Sequence, residues 1–150
     1  MVKGKSLYAA VTMVFVLMVF LVCQASRAEA WDPALNEKNA KVLPEGGGEP
    51  GKAFLAYKKD LSEKNFEAAR KGLTKKFTGP DEQVRMRLEI DADTIPKDTK
   101  ILKGLVREDT AELYIAGTLE GQKEYGVIEM LKEDSHWCVA REKWSDKPFE

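Results

Sequence analysis

The chain has 150 residues, room for one folded domain and little besides. It is 43% hydrophobic and 33% charged with a formal net charge of −1, which argues against a nucleic-acid binder working by bulk charge. Two cysteines are too few for a disulfide scaffold.

The averages conceal two parts. Residues 1–30 are mostly apolar and carry only Lys3, Lys5, Arg27 and Glu29 as charges. Everything from Trp31 onward is leaner, highly charged and mildly acidic. Lys3 and Lys5 form a positive start, Leu7 to Val22 is an uncharged apolar run, and small residues follow. This is the layout of a secretory signal peptide, residues 1–30. Ala28 and Ala30 stand at −3 and −1 of the expected cleavage site, so the mature chain would begin at Trp31. Two alternatives stay open. Residues 7–22 could remain as a membrane anchor, although about 20 apolar residues are usual for a span. Cys23 could instead be the lipidated residue of a lipoprotein. Membrane contact is expected only through such a retained or lipidated leader. After cleavage Cys138 is the one remaining cysteine, and its strand-like surroundings point to burial.

Residues 31–50 contain Pro33, Pro44 and the run Gly46-Gly47-Gly48, and read as a flexible linker. Residues 51–77 read as two short helices in a hairpin. Phe54, Tyr57 and Leu61 recur at helical spacing, and Phe66, Ala69, Leu73 and Phe77 repeat the pattern. Asn65 between them is the expected N-cap of the second helix.

Residues 80–95 fit two templates. Pro80, Asp81 and Glu82 suit a helix start, with Val84, Leu88 and Ile95 on one face. Val84, Met86, Leu88 and Ile90 also alternate with charged residues as a half-buried strand would. Periodicity leans to the helix without deciding.

Four strands follow: Ile101 to Val106, Thr110 to Leu119, Tyr125 to Leu131 and His136 to Trp144. Glu108-Asp109, Glu120-Gly121 and Asp134-Ser135 separate them with turn chemistry. Gaps this short force antiparallel neighbours. The expected fold class is α+β, with N-terminal helices packed on a curved antiparallel sheet of about four strands over residues 51–145 and a short tail at 146–150.

This order of elements resembles the nuclear transport factor 2-like superfamily of cone-shaped α+β folds, and within it the small bacterial exported proteins and lipoproteins. The resemblance is carried by Pro50-Gly51-Lys52-Ala53-Phe54-Leu55-Ala56-Tyr57 with Lys64-Asn65-Phe66-Glu67-Ala68-Ala69, and by Gly126 to Val139 with its acidic turn and Trp137-Cys138-Val139. It covers roughly residues 50–145. It implies that residues 80–95 form a third helix. It also implies either a small-molecule pocket between sheet and helices or a sheet face used for homodimerisation. Enzymatic relatives such as ketosteroid isomerases and polyketide cyclases place acids, Tyr or His inside the cone. No such catalytic set can be carried over onto this chain position by position.

The residues themselves offer no strong catalytic motif, and no catalytic residue is assigned. Asp134, Ser135 and His136 are adjacent on one turn and cannot form a triad. His136 and Cys138 lie at i,i+2, but no further His or Cys exists in the mature chain to complete a metal site. Asp91, Asp93 and Asp98 fail the calcium-loop pattern, with Pro96 where Gly belongs. No phosphate-cradling glycine motif occurs, so neither metal nor cofactor is expected. Lys58, Lys59, Lys64, Arg70, Lys71, Lys75 and Lys76 make a basic cluster, read as a solvated helix surface or, more sharply, as a seat for an anionic surface. Lys71, Lys75 and Lys76 are its most concentrated part.

Tyr57, Phe66, Tyr125, Trp137 and Trp144 are the candidate pocket residues, since aromatic walls with polar tips suit a ligand site. The expectation is an exported, periplasmic or secreted domain. It would be non-enzymatic and bind a small apolar ligand or a protein partner, with a homodimer possible. Two alternatives are an isomerase- or cyclase-like enzyme using a pocket carboxylate or Tyr, and a membrane-tethered structural envelope protein.

Overall fold

Where the chain changes from helical to alternating periodicity, near Thr99, the architecture changes too. The computed structural model describes residues 31–149 except Thr78, so the leader with Ala28 and Ala30 lies outside the described residues. From Pro33 onward one unit is formed. Its elements are β1 (Lys41–Val42), a 3-10 turn (Glu45–Gly47), α1 (Gly48–Ser62), α2 (Phe66–Lys71), α3 (Asp81–Thr94), β2 (Lys100–Arg107), β3 (Thr110–Leu119), β4 (Gln122–Glu133) and β5 (His136–Ser145). The fold is α+β, with an open antiparallel sheet in the order β1-β2-β3-β4-β5.

The helical hairpin forms as its residues dictate. Asn65 caps α2 by accepting from the Ala68 amide at 3.4 Å. Residues 81–94 are helical, which settles the ambiguity of the 80–95 segment. Val84 and Leu88, one turn apart, are buried, while Met86 and Ile90 are 57% and 55% exposed. The strand reading needed all four on one face. A helix needs only the i,i+4 pair, and Pro80 stands just outside as the N-cap.

The hairpin turns hold left-handed residues where expected. Glu120 and Gly121 have φ of 51° and 80°, and Asp134 and Ser135 have 47° and 67°. Two consecutive positive φ values match the twist of the flanking strands.

The sheet has five strands rather than four. The additional one, β1, falls in the stretch read as a linker. Lys41 pairs with Val106 and Val42 with Leu105, and the Leu43 amide donates to the Gly104 carbonyl at 2.8 Å. Further upstream, Ala34 and Leu35 donate their amides to the buried Glu112 carboxylate at 2.7 and 3.2 Å. Residues 33–43 are thus hydrogen-bonded to the sheet, and α1 begins at Gly48, inside the same stretch.

The core lies between the helices and one face of the sheet. Phe54, Tyr57 and Leu61 of α1 and Leu88 of α3 meet Leu113, Ile115, Ile128 and Met130. By register, Glu112, Tyr114, Val127, Tyr125 and Cys138 occupy the other face. The Cys138 thiol is buried, and burial pushes its pKa up, as suits an inert cysteine.

Candidate functional site between helices and sheet

The site is set by an irregularity in β5. Trp137 and Val139 face the helices, opposite Lys132 and Met130. Strict alternation would next turn Arg141 and Lys143 inward. The pairing instead shifts between Glu129 and Met130, so one extra residue, Ala140, is absorbed as a bulge. Arg141 then faces outward, where it grips the buried Glu129 carboxylate through two bonds of 2.6 and 2.8 Å. Glu142 and Trp144 are re-aimed at the helices, opposite Ile128 and Gly126. Glycine at 126 makes room, because a Cβ there would lie 2.9 Å from the Trp144 ring.

Glu142 is half-buried and accepts a bond from Trp144 Nε1 at 3.1 Å. Burial pushes its carboxyl pKa up to about 7; the Trp144 bond pulls the other way, and Asp91 adds to the rise. On α1, Tyr57 is only 2% exposed, and its phenol feels the charge of Glu142. The Tyr57 hydroxyl is buried and has no hydrogen-bond partner, the one side-chain polar atom in that state among the described residues. Burial raises its pKa, and the charges of Glu142 and Asp91 raise it further, so the phenol stays protonated. The third side is α3. Arg87 Nε donates to both Asp91 carboxylate oxygens at 3.1 Å, and its guanidinium lies 5.6 Å from the centre of the Phe77 ring. Burial raises the Asp91 pKa although Arg87 opposes it.

The site therefore holds a phenol donor, a carboxyl group titrating near neutrality and an indole, beside an ion pair. β5 is an edge strand, bridged at Val139 by Leu73, whose neighbours Gly72 and Thr74 carry the bonds. Past that bridge, half-buried Glu142 and Trp144 lie toward the open edge.

Of the five aromatic candidates, Tyr57 and Trp144 belong to this constellation. Trp137 is on the same sheet face, two register positions beyond Met130, with Lys132 5.9 Å from its ring centre. Phe66 lines a separate cleft of about 510 Å³ between α2 and α3. Tyr125 pairs with Ala116 and Ser145 on the opposite face of the sheet. Sequence reasoning missed Glu142, Asp91 and Arg87 as members of one cluster. The signal available was the misfit of Arg141 and Lys143 with an inward phase, which implies a bulge.

Other candidates fall elsewhere. His136 is exposed and its Nδ1 contacts the Asp134 carbonyl at 2.8 Å. Lys75, without acids near it in sequence, is paired in space with Asp134 at 2.5 Å. Among the described residues no three His, Cys, Asp or Glu side chains converge as metal ligands would.

Comparison of the chain with protein-family models, with curated proteins and with solved structures gives no match.

Proposed function

We propose that this is an exported ligand-binding domain which takes a small, largely apolar molecule with a hydrogen-bonding group between α1, α3 and β5. The observation that carries this reading is the Tyr57 hydroxyl, buried without a partner and within reach of the Glu142 charge. An unmet buried hydroxyl costs about 1–3 kcal/mol. A ligand acceptor would meet it, while Glu142 would accept from or donate to the same molecule according to its protonation. The reading takes up the pocket that the resemblance to the nuclear transport factor 2-like superfamily implies.

The test is a thermal-shift screen of small hydroxyl- and carbonyl-bearing apolar compounds. Tyr57→Phe is expected to stabilise the free protein by about 1 kcal/mol, because it removes the unmet group. The same variant is expected to lose most of the ligand-induced shift. A variant that keeps the full shift with every hit would sink this reading.

A second reading, proton-transfer catalysis, is favoured by the Glu142 carboxyl titrating near 7, where a general base works best. Compounds found in the screen would be incubated in deuterated water. Exchange beside a carbonyl that disappears in Glu142→Gln would support the enzyme. Binding without exchange would leave the binding domain.

A further inference from the structure

A further cleft, lined by no residue of the polar cluster, lies between the C-terminal half of α1 and the segment from Ala92 to Thr99. Its volume is about 580 Å³, within the range of small-molecule sites. Leu55, Leu61, Ala92 and Ile95 supply an apolar wall, and Leu55 is 43% exposed although apolar. Lys58, Lys59, Lys64 and Lys97 supply the charge, against the one acidic lining residue, Asp93. Lys59 has a partner in Glu63 at 3.9 Å, a loose surface pair.

Lys58 differs from the other three. It is half-buried, and its Nζ donates to the Lys97 carbonyl at 2.8 Å and to Thr99 Oγ1. Both acceptors are neutral oxygens, so a third N–H remains and no carboxylate touches the charge. Asp98 stands near enough to be felt, but its two oxygens are occupied by the Thr118 amide at 2.5 Å and the Thr118 hydroxyl at 2.9 Å. An ammonium fixed at the wall of an apolar cleft and hydrogen-bonded only to neutral oxygens is half of an ion-binding site.

We infer that this cleft binds a free anionic amphiphile, with its head group on Lys58 and its short apolar tail along Leu55, Leu61 and Ile95. Lys64 and Lys97 add long-range attraction at the rim. The site is independent of the Tyr57–Glu142 cluster and goes beyond the function proposed for it.

The chemistry predicts its own pH signature. Burial lowers the Lys58 pKa to about 8, with Asp98 opposing. An anion needs the charged form, so affinity is fully present below that value and falls as the amine loses its proton above it. The other titratable groups facing the cleft are Asp93 and the three remaining lysines.

The experiment is calorimetric titration of the purified protein with octanoate and octyl phosphate, with octanol and acetate as tail-only and head-only probes. Octanoate or octyl phosphate is expected to bind and the single-part probes not to. Affinity should fall about tenfold between roughly pH 7 and roughly pH 9, one unit on either side of the amine's midpoint. Lys58→Gln should lose about tenfold at neutral pH and flatten the profile. Lys58→Arg should hold its affinity at both pH values, which a purely structural role for Lys58 would not produce. Tyr57→Phe should bind octanoate like the parent, so the two sites can fail separately. Equal binding of octanol, an unchanged Lys58→Gln profile, or binding to anionic vesicles without binding to the free compounds would overturn the proposal.

Discussion

Glu142→Gln is expected to stabilise the domain by about 3 kcal/mol near pH 8 and to change little near pH 4. The carboxyl is raised from 4.5 to about 7, with burial the main cause. At about 1.4 kcal/mol per unit that difference is roughly 3 kcal/mol. The sign follows from proton counts. Between the two values the folded state holds a proton that the unfolded state has released, so stability falls as pH rises through this window. Above about 7 the folded protein carries a desolvated carboxylate and the full loss is present. Glutamine keeps an acceptor oxygen for Trp144 Nε1 and has no charge to bury. Urea unfolding of both proteins at several pH values would show two curves that converge in acid and diverge toward alkaline pH. Parallel curves would show that the carboxyl does not titrate in a buried setting. Asp91 shifts in the same direction, so Glu142→Gln should remove most but not all of the parent's decline.

This prediction and the one for Tyr57→Phe share a direction: each single change at the polar cluster makes the free protein more stable. A domain shaped by stability alone would place Gln or Leu at position 142 and Phe at position 57. The two expected stabilisations fit the ligand-binding reading proposed above, since binding sites commonly give up stability for function. The cost is concentrated between α1, α3 and β5. The outer face shows the contrast. There two buried acids, Glu112 and Glu129, stand opposite each other, and each has its donors. Glu112 takes the Ala34 and Leu35 amides and the Tyr114 hydroxyl, and Glu129 takes Arg141. Those acids are satisfied and hold structure together, whereas Tyr57 is not satisfied.

How much of this was legible depends on the range over which each feature is decided. The four long strands, their turns and the Asn65 cap follow from local period and local chemistry, and the structure has them at nearly the expected residues. The helix at 81–94 was legible only in part, because Met86 and Ile90 mimic alternation while remaining exposed. The site was decided over a longer range. One extra residue at Ala140 reverses the phase of β5, so Glu142 faces inward, two residues before Trp144, while Arg141 faces out. Tyr57, Trp144 and Tyr125 look alike as aromatics in the sequence, yet Tyr125 lies on the other face because it pairs with Ala116. Aromatic character alone carries no information about which side of a sheet a residue takes. Lys58 was seen only as one of a basic cluster. What sets it apart is the Lys97–Thr99 segment folding onto it from 39 residues away.

The glycines of the 46–51 stretch carry the same lesson and yield the last prediction. In sequence they read as linker punctuation. In the fold Gly51 is buried in the first turn of α1 and packs against the loop that leads into that helix. A Cβ at position 51 would press well inside the van der Waals limit of the Gly46 carbonyl oxygen, with the Gly46 carbonyl carbon at 2.9 Å and Ile101 Cδ1 at 3.0 Å. The obstacle is backbone, so no rotamer change relieves it. Either the 3-10 turn or the start of α1 must move, and both are tied to the sheet through Leu43 and the packing of Gly47 on Leu113. Alanine's better helix propensity returns only about 1 kcal/mol. Gly51→Ala is therefore expected to cost about 3 kcal/mol net, at the upper end for overpacked sites. That corresponds to a fall of roughly 10 °C in melting temperature. Gly46→Ala is the control. Its φ is 79° with open space around it, so it should cost only the left-handed penalty of about 1 kcal/mol. Melting curves of the two variants separate packing from conformational freedom. If Gly46→Ala proved as damaging as Gly51→Ala, the stretch would owe its glycines to backbone conformation alone, and the close seating of α1 on the 3-10 turn would be wrong. The consequence reaches the site as well. α1 carries both Tyr57 and Lys58, so a shift at its first turn should weaken ligand responses at both proposed sites together.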